Sequence, residues 1–125
     1  MLFDTDVLIW AFRGNAHAQK IIDGAEDRAL SAVSYMELLQ GVRNKQEQRA
    51  VNLFLSELGF ETVPVNEAVS HRATVFMETY ALKSGMGVAD ALIFATACEK
   101  GYTLCSGNLK HVRNIPSLST HPFKP

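Results

Sequence analysis

Three carboxylates stand where a folded chain has little structural use for all of them. Asp4 follows the apolar Met1-Leu2-Phe3, Glu37 lies just after the apolar-rich Arg28–Val33, and Asp90 heads the nearly all-apolar Ala91–Cys98. If the fold gathers them, each close pair repels by about 3 kcal/mol at an effective dielectric of about 20. A shared proton or a hard divalent cation can offset that. The cation suits the surroundings better, because Thr5, Ser106 and Asn108 add oxygen donors and no His or Cys stands among the acids. Mg²⁺ or Mn²⁺ held in this way activates water and neutralises charge building up at phosphorus, which points to phosphodiester or phosphoryl chemistry.

Each acid also has a plainer reading. Asp6 precedes Val7–Phe12 and is a natural N-cap for that helix. Ser34-Tyr35-Met36-Glu37 has the S-x-x-E capping-box pattern, which would make Glu37 a helix-start residue. Asp4 could be a solvated acid at a sheet edge. Asp90 is tolerated at the head of an apolar helix because the first turn offers free N–H groups and the positive end of the helix dipole.

The elements that must position these residues alternate. Short apolar runs at Met1–Phe3, Arg28–Val33, Phe60–Val65, Tyr102–Cys105 and Ile115–Thr120 read as strands. Between them lie segments of helical period: one from Val7, one from Asn15, one opened by Ser34–Glu37, Asn44–Leu58 stopped by Gly59, a long one capped by Asn66 and running to about Lys83, and Ala89–Lys100 ended by Gly101. Strands separated by helices imply a mainly parallel sheet of about five short strands between two helical layers, a three-layer α/β/α sandwich with right-handed crossovers. In such sheets the working edge is the one at the carboxyl ends of the strands. Asp4 with Asp6, Glu37, Asp90 and the turn Ser106-Gly107-Asn108 are all delivered there. The short return from the last central helix to the next strand should make Asp90 and Asn108 neighbours.

The 125 residues suffice for a single domain, 1–125, with a real core. Twelve basic and thirteen acidic residues give a net charge of −1, so any nucleic-acid contact must be local. Lys110, Arg113 and Arg13 are the candidate phosphate contacts, with a solvated-face reading open for each. No apolar run reaches the length of a membrane span and no signal pattern opens the chain, so a cytoplasmic protein is expected. Cys98 and Cys105 lack ligand spacing and read as reduced core thiols; His71 reads as solvated.

The sequence resembles the PIN-domain ribonucleases of the toxin type found in bacterial and archaeal VapBC toxin–antitoxin pairs. The likeness rests on LFDTDVLIW, SAVSYMELLQGV, GVADALIFATACEKGYTL and SGNLKHVRNIPSL, in that order and spacing, and spans essentially the whole chain. It implies a PIN-like fold, RNA as substrate, and Asp4, Glu37 and Asp90 as acids that bind Mg²⁺ or Mn²⁺. By the same likeness Ser106 and Asn108 match the family's T-x-N turn, and the protein would be a homodimer checked by a small antitoxin laid into a groove between helices. The family usually continues T-x-N-x-x-D-F, whereas this chain has His111 and Val112 at the last two positions. That lowers the charge of the site and weakens a second metal position. His111 itself could ligate a metal, hold a phosphate as imidazolium, or be exposed.

Two other readings stay open on sequence alone. The opening FDTDVL also resembles the D-x-D strand end of haloacid-dehalogenase-type phosphatases, but no late lysine and acid pair completes that site. A PIN-like binding or regulatory protein, its nuclease weakened by the change at residue 111, is the non-enzymatic alternative.

Overall fold

The computed structural model describes residues 1–112 and 115–125. Its strands are β1 (Leu2–Phe3), β2 (Ala29–Ser31), β3 (Glu61–Val63), β4 (Leu104–Ser106) and β5 (Thr120–Pro122). The helices are α1 (Thr5–Phe12), α2 (Ala16–Gly24), α3 (Ala32–Gly41), α4 (Lys45–Glu57), α5 (Glu67–Ser84) and α6 (Val88–Lys100), with a 3₁₀ turn at Leu109–His111. All pairings are parallel and the spatial order is β3-β2-β1-β4-β5. This is the expected three-layer sandwich.

The layers follow from strand alternation, which sends successive side chains to opposite faces. Leu2, Ala29 and Leu104 enter one core with Val69, Ala73 and Phe76 of α5 and Ile93 and Phe94 of α6. Their neighbours Phe3, Leu30 and Cys105 enter the other, with Val7 and Leu8 of α1, Ile22 of α2, and Val51 and Leu55 of α4. Every strand residue of β1, β2 and β4 is buried, as a sheet covered on both faces requires.

Helix starts follow their side chains. Asn15, Asn44 and Asn66 accept from the N–H groups of Ala18, Glu47 and Val69, as their positions in the sequence suggested. Gly101 ends α6 in the left-handed conformation, with φ of 69°. Two other starts differ from expectation. Asp4, not Asp6, caps α1, because the helix begins at Thr5 directly after β1. Ser31, not Ser34, caps α3, accepting from Val33, because β2 ends at Ser31 and the chain turns at once into helix.

The last strand is also later than the sequence suggested. Ile115–Thr120 is not the strand: Ile115 is spent on the first core, and pairing with β4 begins only at Thr120. Pro122 closes β5 at the sheet edge, where a missing N–H costs no ladder bond. Among the described residues, no helix is long and apolar enough to cross a membrane. Cys105 is buried and Cys98 half-buried, both as free thiols, and His71 is exposed.

Candidate active site

The strand order reverses direction at β1 and β4, since β2 and β3 lie to one side and β5 to the other. That switch point is where the flanking loops diverge and a crevice opens. Phe3 is in register with Cys105, and the Asp4 N–H donates to the Cys105 carbonyl at 2.9 Å, so Asp4 and Ser106 lie side by side one residue further on. The Ser106 hydroxyl donates to Asp4 Oδ2 at 2.7 Å, and the Thr5 N–H donates to Oδ1 at 2.8 Å. Both carboxylate oxygens of a residue only 6% exposed are thereby fixed.

Burial still dominates its electrostatics. Desolvation pushes the Asp4 carboxyl up to about 6; the Ser106 and Thr5 hydrogen bonds oppose that, while Asp6 and then Asp90 add to it. Asp6 is raised too, by burial first and by Asp90 in smaller part, against hydrogen bonds from the Gly107 and Val7 N–H groups. Asp4, Asp6 and Asp90 thus share one electrostatic neighbourhood. Asp90 reaches it as the first-turn acid of α6, a helix with no side-chain cap.

Asp6 ties α1 to the turn after β4. Its Oδ1 accepts from Val7 at 2.7 Å and its Oδ2 from Gly107 at 2.9 Å. A Cβ on Gly107 would lie 2.7 Å from that same Oδ2 and 3.2 Å from the Phe123 carbonyl oxygen, so only glycine fits unless something moves. The Asn108 N–H donates to Ser106 Oγ at 3.0 Å, which orients the hydroxyl toward Asp4.

Glu37 arrives from the other side, on α3. Its Oε1 is 2.7 Å from the Thr5 hydroxyl, which also lies 2.8 Å from Ser34 Oγ. Ser34 is fully buried. Neither Ser34 nor Gly107 stands out as a site residue in the sequence: Ser34 is absorbed by the capping-box pattern, and Gly107 reads as an ordinary turn glycine. Glu37 also lines a groove of about 740 Å³ with Ile9, Phe12, Arg13, Leu38 and Arg43.

The remaining candidates are more peripheral. Arg13, Lys110 and Asn108 are exposed, and no hydrogen bond joins Asn108 to Asp90 among the described residues. His111 is half-buried, and its Nδ1 is buried without a partner among those residues. Arg113 lies outside the described residues.

The donors Asp4, Asp6, Glu37, Asp90, Thr5, Ser106 and Asn108 form an all-oxygen set of the kind Mg²⁺ or Mn²⁺ takes, and a cation would relieve the desolvated, mutually repelling carboxylates. In chemistry the residues fit such an ion. Among the described residues, however, no three His, Cys, Asp or Glu side chains stand as a ready metal-binding group. Glu37 is turned to Thr5 and Asp4 to Ser106, so each carboxylate is held by hydroxyl donors.

The sequence profile of the PIN domain family matches residues 1–113. The chain belongs to the PIN domain family. This PIN domain is similar to a toxin–antitoxin complex from Klebsiella pneumoniae, with 25% identity over 98% of each chain and a TM-score of 0.81. It is also similar to VapBC2 from Rickettsia felis bound to a DNA fragment from its promoter, with 20% identity over 98% of each chain and a TM-score of 0.81. VapBC-1 from nontypeable Haemophilus influenzae matches at 21% identity, covering 97% of this chain and 96% of that one, with a TM-score of 0.77. No curated protein matches the sequence. The family assignment removes the phosphatase alternative, since it places the FDTDVL opening in the PIN fold.

Proposed function

We propose that this PIN domain is a divalent-metal-dependent endoribonuclease and the toxin of a toxin–antitoxin pair. The observation that carries the reading is Asp4: buried at the switch point, clamped by Ser106 and Thr5, and within electrostatic reach of Asp6 and Asp90. Asp4, Glu37 and Asp90 would hold Mg²⁺ or Mn²⁺, with Asp6, Thr5, Ser106, Asn108 and His111 as lesser candidates. A bound ion supplies an activated water and neutralises charge at the scissile phosphate. Ser106 keeps Asp4 in place, Thr5 holds Glu37, and Lys110, Arg113 and Arg13 are the phosphate contacts.

An antitoxin partner is supported by the toxin–antitoxin complexes among the similar structures. The groove between α1, α3 and α4 is where its segment would lie, because Glu37 and Arg13 are in that lining and an occupant there would cover the acid. The reading includes a homodimer and action in the cytoplasm. The rival reading, a PIN-like binding or regulatory protein with nuclease activity weakened by His111, predicts little or no cleavage.

Purified protein incubated with single-stranded or loop RNA should cut it with Mg²⁺ or Mn²⁺, stop with EDTA, and leave 5′-phosphate ends. Cleavage that persists in EDTA, or that leaves 2′,3′-cyclic phosphate, would contradict metal-activated water as the nucleophile.

A further inference from the structure

Thr5 bridges two of the acids. Its backbone N–H donates to Asp4 Oδ1 at 2.8 Å, and its hydroxyl sits 2.7 Å from Glu37 Oε1 and 2.8 Å from Ser34 Oγ. A hydroxyl has one proton to give and two lone pairs to offer. An ionised Glu37 can only accept, so the Thr5 proton goes to Glu37 and Thr5 must in turn accept from Ser34. The order is therefore fixed: Ser34 donates to Thr5, and Thr5 donates to Glu37.

Ser34 and Glu37 are three residues apart on α3, on the same face and aimed at the first residue of α1. A serine inside a helix ordinarily returns its proton to the carbonyl four residues back or points to water. Ser34 does neither, being fully buried with its described hydrogen bond directed at Thr5. A buried polar hydroxyl on a helix that already has its cap in Ser31 is not there for the helix.

We infer that Ser34 is a positioning residue, acting through the Thr5 hydroxyl to fix Glu37 against Asp4 and so set the spacing of the two acids. Chains of hydroxyls ending on a carboxylate polarise one another, so removing the first donor weakens the last bond. The inference rests on the nuclease reading for its purpose but not for its geometry, and the two are tested separately.

The test is the Glu37 side-chain carboxyl resonance in ¹³C-labelled, metal-free full-length chain at a pH where it is ionised. Thr5→Val should move it. Ser34→Ala should move it in the same direction by less, Ser34→Thr should return it toward wild type, and Ser34→Ala should add nothing in the Thr5→Val background. In parallel, Ser34→Ala should weaken Mn²⁺ binding by calorimetry about tenfold, as losing a partner behind a metal ligand does. An unmoved resonance in Ser34→Ala, or a Ser34→Ala effect that survives in the Thr5→Val background, overturns the relay. If wild type neither binds Mn²⁺ nor cleaves RNA, the nuclease reading fails while the resonances still decide the relay. Should Ser34→Ala not fold, Ser34→Cys, of similar volume and a weak donor, takes its place.

Discussion

At the scale of single residues, Asp4 is where fold and chemistry pull against each other. Burial, seconded by Asp6 and Asp90, raises its carboxyl from 3.8 to about 6 in spite of the Ser106 and Thr5 hydrogen bonds. A carboxyl raised on folding favours its protonated form, so its stabilising contribution is complete below the unfolded value and is lost as pH rises through about 6. The full shift corresponds to about 3 kcal/mol, of which about 2 kcal/mol falls between about pH 4.5 and 7.5. Urea denaturation of the metal-free protein, taken as the difference from a non-titrating Asp4→Asn chain, should show wild type losing ground by that amount over that window. A difference that is flat with pH would mean Asp4 titrates as an ordinary surface acid. Asp4 was legible in the sequence as a carboxylate one residue past a buried strand, although its second task, capping α1, was not, because Asp6 read as that cap. Ser34 was not, because S-x-x-E satisfies a capping rule that Ser31 in fact fulfils.

At the scale of elements, the turn Ser106-Gly107-Asn108 joins β4 to the site, and its fit depends on the missing side chain at Gly107. The Asp6 carboxylate is held by the N–H groups of Val7 and Gly107, and the Phe123 N–H donates to the Ser106 carbonyl, so neither obstacle to a Cβ can retreat freely. Gly107→Ala should therefore cost about 1–3 kcal/mol by overpacking, read by urea denaturation. Asp6→Ala in the same chain should recover part of it, since it removes the closer obstacle. If Gly107→Ala is neutral, the turn is looser than the contacts imply. The asparagine caps and Gly101 were legible here because each supplies a local geometry of its own. The last strand was not: Ile115 and Leu118 have the character of strand residues, but both pack against the core before the edge strand begins at Thr120.

At the scale of the whole molecule, a net charge of −1 gives no global field for a polyanion, and the proposed site draws its side chains from four chain segments at one sheet edge. The layers and the parallel sheet follow from alternation of strand and helix, which the sequence carries openly. How closely the acids approach was not legible, because hydroxyl partners such as Ser106 and Thr5 decide where each carboxylate turns. That these acids repel until a cation joins them is the central claim, and four melting curves test it: wild type and Asp90→Asn, each in EDTA and in Mn²⁺. Asparagine forfeits a helix-dipole interaction of about 0.3–1 kcal/mol but relieves repulsion with Asp4 and Asp6. In EDTA the mutant should melt higher. In Mn²⁺ the order should reverse, because wild type gains about 2.7 kcal/mol at a hundredfold excess of ion over its Kd and the mutant gains much less. Parallel shifts with no crossover would leave Asp90 an ordinary helix-start acid and contradict the shared-metal site.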